Sequence, residues 1–118
     1  MRSILVVEDE KNLLDLYCCE FEDVGYTVQP AASGREAIDS VRKQRPDVVV
    51  LDIKLNDMEG LKVLDEIKSI DKTIPVIINS AYSVYKSDFS SWMADDYIVK
   101  SSDISILLNK VKELTGNF

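Results

Sequence analysis

Two hydrophobic patterns alternate along the chain. Short unbroken apolar runs recur as Ile4-Leu5-Val6-Val7, Val48-Val49-Val50-Leu51 and Val76-Ile77-Ile78. Runs this short, with no polar alternation, predict strands covered on both faces. Between them, apolar residues return at helical spacing. Leu13, Leu14, Tyr17, Phe21 and Val24 predict a first helix, with Asp9 and Glu10 suited to its first turn and Gly25 as its stop. Tyr26-Thr27-Val28-Gln29 is β-prone and is closed off by Pro30. Ser33 and Glu36 match a capping box opening a second helix, whose buried stripe is Ala37, Ile38 and Val41. Pro46 then leads into the central strand, which runs to Asp52.

Leu61, Leu64 and Ile67 mark a third helix, and Pro75 introduces the fourth strand. Tyr97-Ile98-Val99 is the fifth strand. Ile104, Leu107, Leu108, Val111 and Leu114 form the inner face of a last helix, capped by Ser101 or Ser102 and followed by Gly116. The stretch from Tyr82 to Met93 carries the weakest pattern. Its serines compete for backbone hydrogen bonds, so a short or mobile fourth helix is expected there.

The result is βα repeated five times. That predicts an α/β fold: a doubly wound, five-stranded parallel sheet with right-handed crossovers placing helices on both faces. A length of 118 residues fits a single domain over residues 1–118. No apolar stretch approaches the roughly 20 residues that span a bilayer, and a cytoplasmic location without membrane contact is expected. The net charge of −7 argues against nucleic acid as a direct partner, since phosphate neutralisation needs clustered Lys and Arg. Cys18 and Cys19 are adjacent within a helical pattern, which suits free thiols in a reducing compartment. The chain has no His, so His-based acid–base catalysis, His-ligated zinc and a phosphohistidine role are excluded.

The candidate chemistry lies where the strands end. The first strand runs into Glu8 and Asp9, the third into Asp52, the fourth into Ser80 and the fifth into Lys100. Ligand chemistry in open parallel sheets gathers at that edge. Singly, each residue has an ordinary explanation as turn former, dipole partner or solvated lysine; the combination favours one site. Carboxylates about 4 Å apart repel by about 4 kcal/mol at an effective dielectric near 20. A hard divalent cation removes that cost, and an all-oxygen donor set suits Mg²⁺ better than zinc. Ser80 and Lys100 offer what a phosphoryl group needs at its remaining oxygens. Asp52, the single acid ending the central run, is the candidate nucleophile.

Val6-Val7-Glu8-Asp9-Glu10, Leu51-Asp52, Met58-Glu59-Gly60, Ser80-Ala81 and Asp96-Tyr97-Ile98-Val99-Lys100 together resemble the receiver domain of two-component response regulators, over essentially the whole chain. The resemblance implies the flavodoxin-like sheet order 2-1-3-4-5. It implies that Asp52 accepts a phosphoryl group from a sensor histidine kinase or phosphotransfer protein. Asp9, Asp52 and the backbone carbonyl of Lys54 would bind Mg²⁺ directly, and Glu8 through water. Ser80 and Lys100 would contact the phosphoryl oxygens. Ser80 and Tyr97 would act as the switch, altering the surface of the fourth helix, fifth strand and fifth helix that meets a downstream output protein or domain. A homodimer formed on phosphorylation is compatible with this picture. The domain would not be an enzyme beyond its own phosphorylation and dephosphorylation.

Some residues depart from the family pattern. Asn56 stands where Pro is usual, so a looser loop after Asp52 is expected. Ser101 stands where Pro usually follows the lysine, and a cis bond before a non-proline costs about 3 kcal/mol, so Lys100–Ser101 is expected to be trans. Trp92 and Met93 suggest a specialised output face, with Trp92 packed against the fourth strand. Lys54 and Tyr82 would shield the phosphorylated aspartate. These departures motivate an alternative, an atypical pseudo-receiver that binds partners independently of phosphorylation. A flavodoxin-like cofactor binder is disfavoured because the loop after the first strand is acidic. An aspartyl-phosphate phosphatase is disfavoured by the order Glu8-Asp9-Glu10.

Overall fold

The computed structural model describes residues 2–81 and 94–116. The expected fourth helix, Tyr82 and Trp92 lie outside the described residues. In chain order the elements are β1 (Ser3–Val7), α1 (Lys11–Asp23), β2 (Thr27–Ala31), α2 (Gly34–Lys43), β3 (Val48–Leu51), α3 (Gly60–Ile70), β4 (Val76–Ser80), β5 (Asp96–Val99) and α4 (Ser105–Thr115). The five strands form one sheet, every pair parallel, in the order β2-β1-β3-β4-β5. The fold class is therefore the one the βα alternation predicts.

Period-two alternation sorts the strand residues into two cores. On one face Leu5, Val7, Val49, Leu51, Val76 and Ile78 pack with Ala37, Ile38 and Val41 of α2 and Val63, Leu64 and Ile67 of α3. On the other, Ile4, Val6, Val48, Val50 and Ile77 pack with Leu14, Tyr17 and Phe21 of α1 and Leu107 and Val111 of α4. The apolar runs lack polar alternates because both faces are covered. No described helix is long and apolar enough to cross a membrane.

Three boundaries differ from expectation. Pro30 does not close β2 but lies within it, opposite Val6. It is tolerated because β2 is an edge strand, where a missing N–H costs no ladder bond on the open side. Tyr26 precedes the strand and packs edge-on against Phe21, with ring centroids 6.0 Å apart. Neither Ser101 nor Ser102 caps the last helix. Ser101 Oγ accepts from the Asp103 N–H at 3.0 Å, while Asp103 Oδ1 accepts from the N–H of Ser105 at 3.0 Å. In α2 the expected cap is present: Ser33 Oγ accepts from the Glu36 N–H at 3.1 Å.

A buried lysine ties the amino edge of the sheet. Lys68 Nζ donates to the Ile74 carbonyl at 2.6 Å and pairs with Asp95 Oδ2 at 3.3 Å. The same Asp95 oxygen accepts from the Val76 N–H at 2.7 Å, so one lysine joins α3, β4 and the approach to β5. Lys68→Met is expected to lower stability by about 2 kcal/mol, the range for hydrogen bonds made by a charged donor. A shift of the urea midpoint at unchanged slope would register it.

Candidate functional site at the carboxyl edge of the sheet

Backbone register brings the candidate residues together. Val7 pairs with Leu51 across β1 and β3, and the Asp52 N–H donates to the Val7 carbonyl at 3.1 Å. Ser80 pairs with Val99 across β4 and β5, and the Lys100 N–H donates to the Ser80 carbonyl at 2.7 Å. Glu8, Asp52 and Lys100 therefore leave three strands at one edge. They share parity with Val6, Val50 and Ile98, so all three leave toward the face covered by α1 and α4.

One oxygen each from Glu8, Asp9 and Asp52 lies within 4.8 Å of the others. Lys100 Nζ pairs with Glu8 Oε1 at 2.7 Å and Asp52 Oδ2 at 3.2 Å. The second oxygen of Asp52 accepts from the Lys54 N–H at 3.3 Å. These residues, with Glu10, Leu13, Lys54 and Ala81, line an open cleft of about 300 Å³. Asp9 and Glu10 precede α1 and are not in its first turn; the Glu10 N–H donates to Glu8 Oε2 at 3.2 Å instead.

Burial dominates the electrostatics. Glu8 is 2% exposed and Asp52 6%. Desolvation pushes the Glu8 carboxyl above its ordinary range; the hydrogen bond from Lys100 pulls it down, and the Asp52 charge pushes it up again. Burial alone would depress Lys100, but its hydrogen bond to Glu8 and the charges of Asp52 and Glu8 outweigh this and raise it. One cation among three carboxylates leaves the cluster net negative.

The loop from β3 to α3, which carries Asn56, is bonded at both its base and its tip. At its base the Gly60 N–H donates to the Ile53 carbonyl at 2.8 Å, and Lys54 and Glu59 form an antiparallel bridge. A Cβ on Gly60 would stand 2.5 Å from the Asp52 carbonyl oxygen, so only glycine permits that approach. At the tip, Asp57 bonds across to the start of α2. Its Oδ1 accepts from the Gly34 N–H at 2.9 Å and its Oδ2 from the Arg35 N–H at 3.0 Å.

Ser80 and Tyr97 lie on the other face. Ser80 is fully buried and is not among the residues lining the cleft. Tyr97 sits in the core shared with Ile78 and Val99, at 2% exposure. The sheet thus separates the carboxylate–lysine cluster from the Ser80–Tyr97 pair by side-chain parity. The described residues contain no cis peptide, so Lys100–Ser101 is trans as expected, and Lys100 still reaches Asp52. Sequence reasoning missed Asn79, a buried polar residue of β4 that lines a small cavity together with Tyr17 of α1. A polar residue inside an apolar strand run was the available signal.

A doubly wound sheet of order 2-1-3-4-5, with acids from β1 and β3 facing a lysine from β5, defines the receiver class of flavodoxin-like domains. The chain belongs to that family: residues 4–112 match the response regulator receiver domain. It is 34% identical over 114 residues to the probable transcriptional regulatory protein TcrX of Mycobacterium tuberculosis, covering 95% of this chain and 49% of that protein. It is 43% identical over 80 residues to sporulation initiation phosphotransferase F of Bacillus subtilis, covering 68% of this chain and 64% of that protein. The chain thus spans about half of the first relative and under two thirds of the second. Among solved structures, the response regulator TrrA of Thermotoga maritima, in complex with Mg²⁺-BeF, is 42% identical, with a TM-score of 0.91 over 97% of this chain and 99% of that one. A chain in the structure of histidine kinase ThkA in complex with TrrA has a TM-score of 0.89 at 42% identity, over 97% of this chain and 98% of that one.

Proposed function

We propose that this receiver domain takes a phosphoryl group onto Asp52 from a histidine kinase or phosphotransfer protein, in a Mg²⁺-dependent reaction, and relays that event to a downstream partner. The observation that carries the reading is the cluster itself: Glu8, Asp9 and Asp52 within 4.8 Å, with Lys100 on Asp52. Its donors are all oxygens, are net negative and border an open cleft, which fits a hard divalent cation. Glu8, Asp9, Asp52 and the Lys54 carbonyl would hold Mg²⁺. Bound there, it would supply positive charge for the carboxylates and the phosphoryl oxygens.

The remaining chemistry belongs to the chain. An Asp52 carboxylate oxygen attacks phosphorus; the P–N bond of the donor phosphohistidine breaks, its electron pair stays on the imidazole nitrogen, and solvent protonates it. Lys100, already on Asp52, supplies a preorganised cation to the transferred group. Hydrolysis reverses the linkage: water attacks phosphorus, the acyl P–O bond breaks, and the Asp52 carboxylate and inorganic phosphate are released. Ser80 stands at the same rim on the Tyr97 face, so a shift of its hydroxyl toward the phosphoryl group would reach the opposite core and move a two-state equilibrium. The ThkA–TrrA complex supports a kinase as donor.

The reading as a phosphorylation-independent interaction module rests on Asn56 and Ser101. Neither substitution displaces a site residue, because the loop after Asp52 is pinned by Asp57 and the trans Lys100–Ser101 bond leaves Lys100 on Asp52. Incubation with Mg²⁺ and acetyl phosphate, followed by intact mass measurement, tests the choice. One added phosphoryl group, absent with EDTA, is expected; no adduct under those conditions would sink the proposal.

A further inference from the structure

Asp57 lies three residues beyond Lys54, outside the carboxylate cluster, yet its carboxylate spans the first two N–H groups of α2. Those groups have no intrahelical partners, and a carboxylate there also meets the positive end of the helix dipole. Ser33 already caps the N–H of Glu36, so Asp57 is a second, non-local cap arriving from a different loop. Met58 follows it down: a Cβ on Gly34 would fall 2.6 Å from Met58 Cγ, so the bare glycine lets the loop lie against the helix. The two backbone bonds from Gly34 and Arg35 hold the Asp57 carboxyl below its ordinary range. The tip of the loop is thereby anchored to α2, while its base is anchored at Ile53 and Gly60.

We propose that Asp57 is a positioning residue for cation binding: by clamping the β3–α3 loop to the start of α2, it holds the Lys54 carbonyl and Asp52 ready for a divalent ion. The proposal rests on the Mg²⁺ site described above and adds a device that compensates for Asn56. Proline would stiffen this loop through its own ring; here a charge-assisted tertiary bond does so. Without the clamp, only the fraction of loops in the binding geometry would be competent, and the apparent dissociation constant would rise by the inverse of that fraction.

The test is calorimetric titration of Mg²⁺ into the wild type, Asp57→Ala, Asp57→Asn and Ser33→Ala, paired with acetyl phosphate kinetics at saturating Mg²⁺. Asp57→Ala is expected to weaken Mg²⁺ about tenfold, the effect of a loop only about one-tenth competent. Its phosphorylation rate at saturating Mg²⁺ should stay within about twofold of wild type, because the ion then reorders the loop. Asp57→Asn keeps one acceptor and should fall between, which preserves the comparison if the alanine variant folds poorly. Ser33→Ala weakens the same helix start without freeing the loop, and should leave Mg²⁺ affinity unchanged. Wild-type affinity in both Asp57 variants, or an equal loss in Ser33→Ala, would overturn the clamp while leaving the Mg²⁺ site standing. Failure of the wild type to bind Mg²⁺ would overturn both.

Discussion

Asp52→Asn is expected to abolish phosphoryl uptake, with no adduct by intact mass after incubation with Mg²⁺ and acetyl phosphate. An amide nitrogen or oxygen does not form the acyl phosphate that the carboxylate would. The fold should survive the change. Asp52 is nearly buried, and its charge both attracts Lys100 and repels Glu8. Losing the first is offset by relief of the second, so metal-free stability should move by no more than about 1 kcal/mol. The Mg²⁺ response should change instead. A ligand that binds only the native state adds about 2.7 kcal/mol at a hundredfold excess over its dissociation constant. The wild type should gain stability of that order, and Asp52→Asn, lacking one anionic donor, should gain far less. Phosphorylation of the variant at another residue, or an undiminished Mg²⁺ response, would contradict the assignment of Asp52.

Lys100→Met is the second large effect, and it falls on stability as well as activity. Its side chain is 15% exposed, and the side chains of its partners Glu8 and Asp52 are 3% and 8% exposed. Removing one member of a buried ion pair typically costs 3–5 kcal/mol, and the open cleft sets the expectation at about 3 kcal/mol at neutral pH. The sign of the pH dependence follows from Glu8. Its carboxyl is already raised above 4.5 by burial, and the largest effect holding it down is Lys100. Without the lysine it should rise further. A raised acid contributes stability that is fully present below its unfolded value and is lost as pH rises through the folded one. The variant should therefore approach the wild type near pH 4.5 and fall behind toward neutrality. In the wild type Lys100 is itself raised above 10.5, so its contribution should persist to that pH and decline above it. Urea unfolding of both proteins across this range would check the signs. A pH-independent gap would show that packing, and not charge, is what the lysine supplies. Saturating Mg²⁺ should narrow the gap at neutral pH, while phosphorylation stays slow because the cation at the phosphoryl oxygens is gone.

The strand ends were the most legible part of the site. Val48 to Leu51 running into Asp52, and Ile4 to Val7 running into Glu8 and Asp9, are local signals, and β1 and β3 pair as neighbours. Pro30 was misread because a proline signals a break unless the strand is known to be an edge, and edge status depends on sheet order. Ser101 and Ser102 were plausible caps on residue type alone; the turn through Asp103 decided which oxygen met the helix start. Asn56 suggested slack in its loop, and the compensating Asp57 bonds reach across 23 and 22 residues to partners that no local pattern marks. No local pattern marks Lys68 as buried; the Ile74 carbonyl and Asp95, met only in the folded chain, draw its ammonium inward.

By itself the sequence determined the order of elements, the parallel doubly wound class and the residues that leave each strand, because periodicity and strand-end chemistry are encoded within a few neighbouring positions. Only the tertiary structure decided which of those residues face one another. Register and side-chain parity put Glu8, Asp52 and Lys100 on the α1–α4 face and Ser80 with Tyr97 on the other. A one-residue slip would exchange those faces without altering any local pattern, and it is the burial of both cores that excludes it.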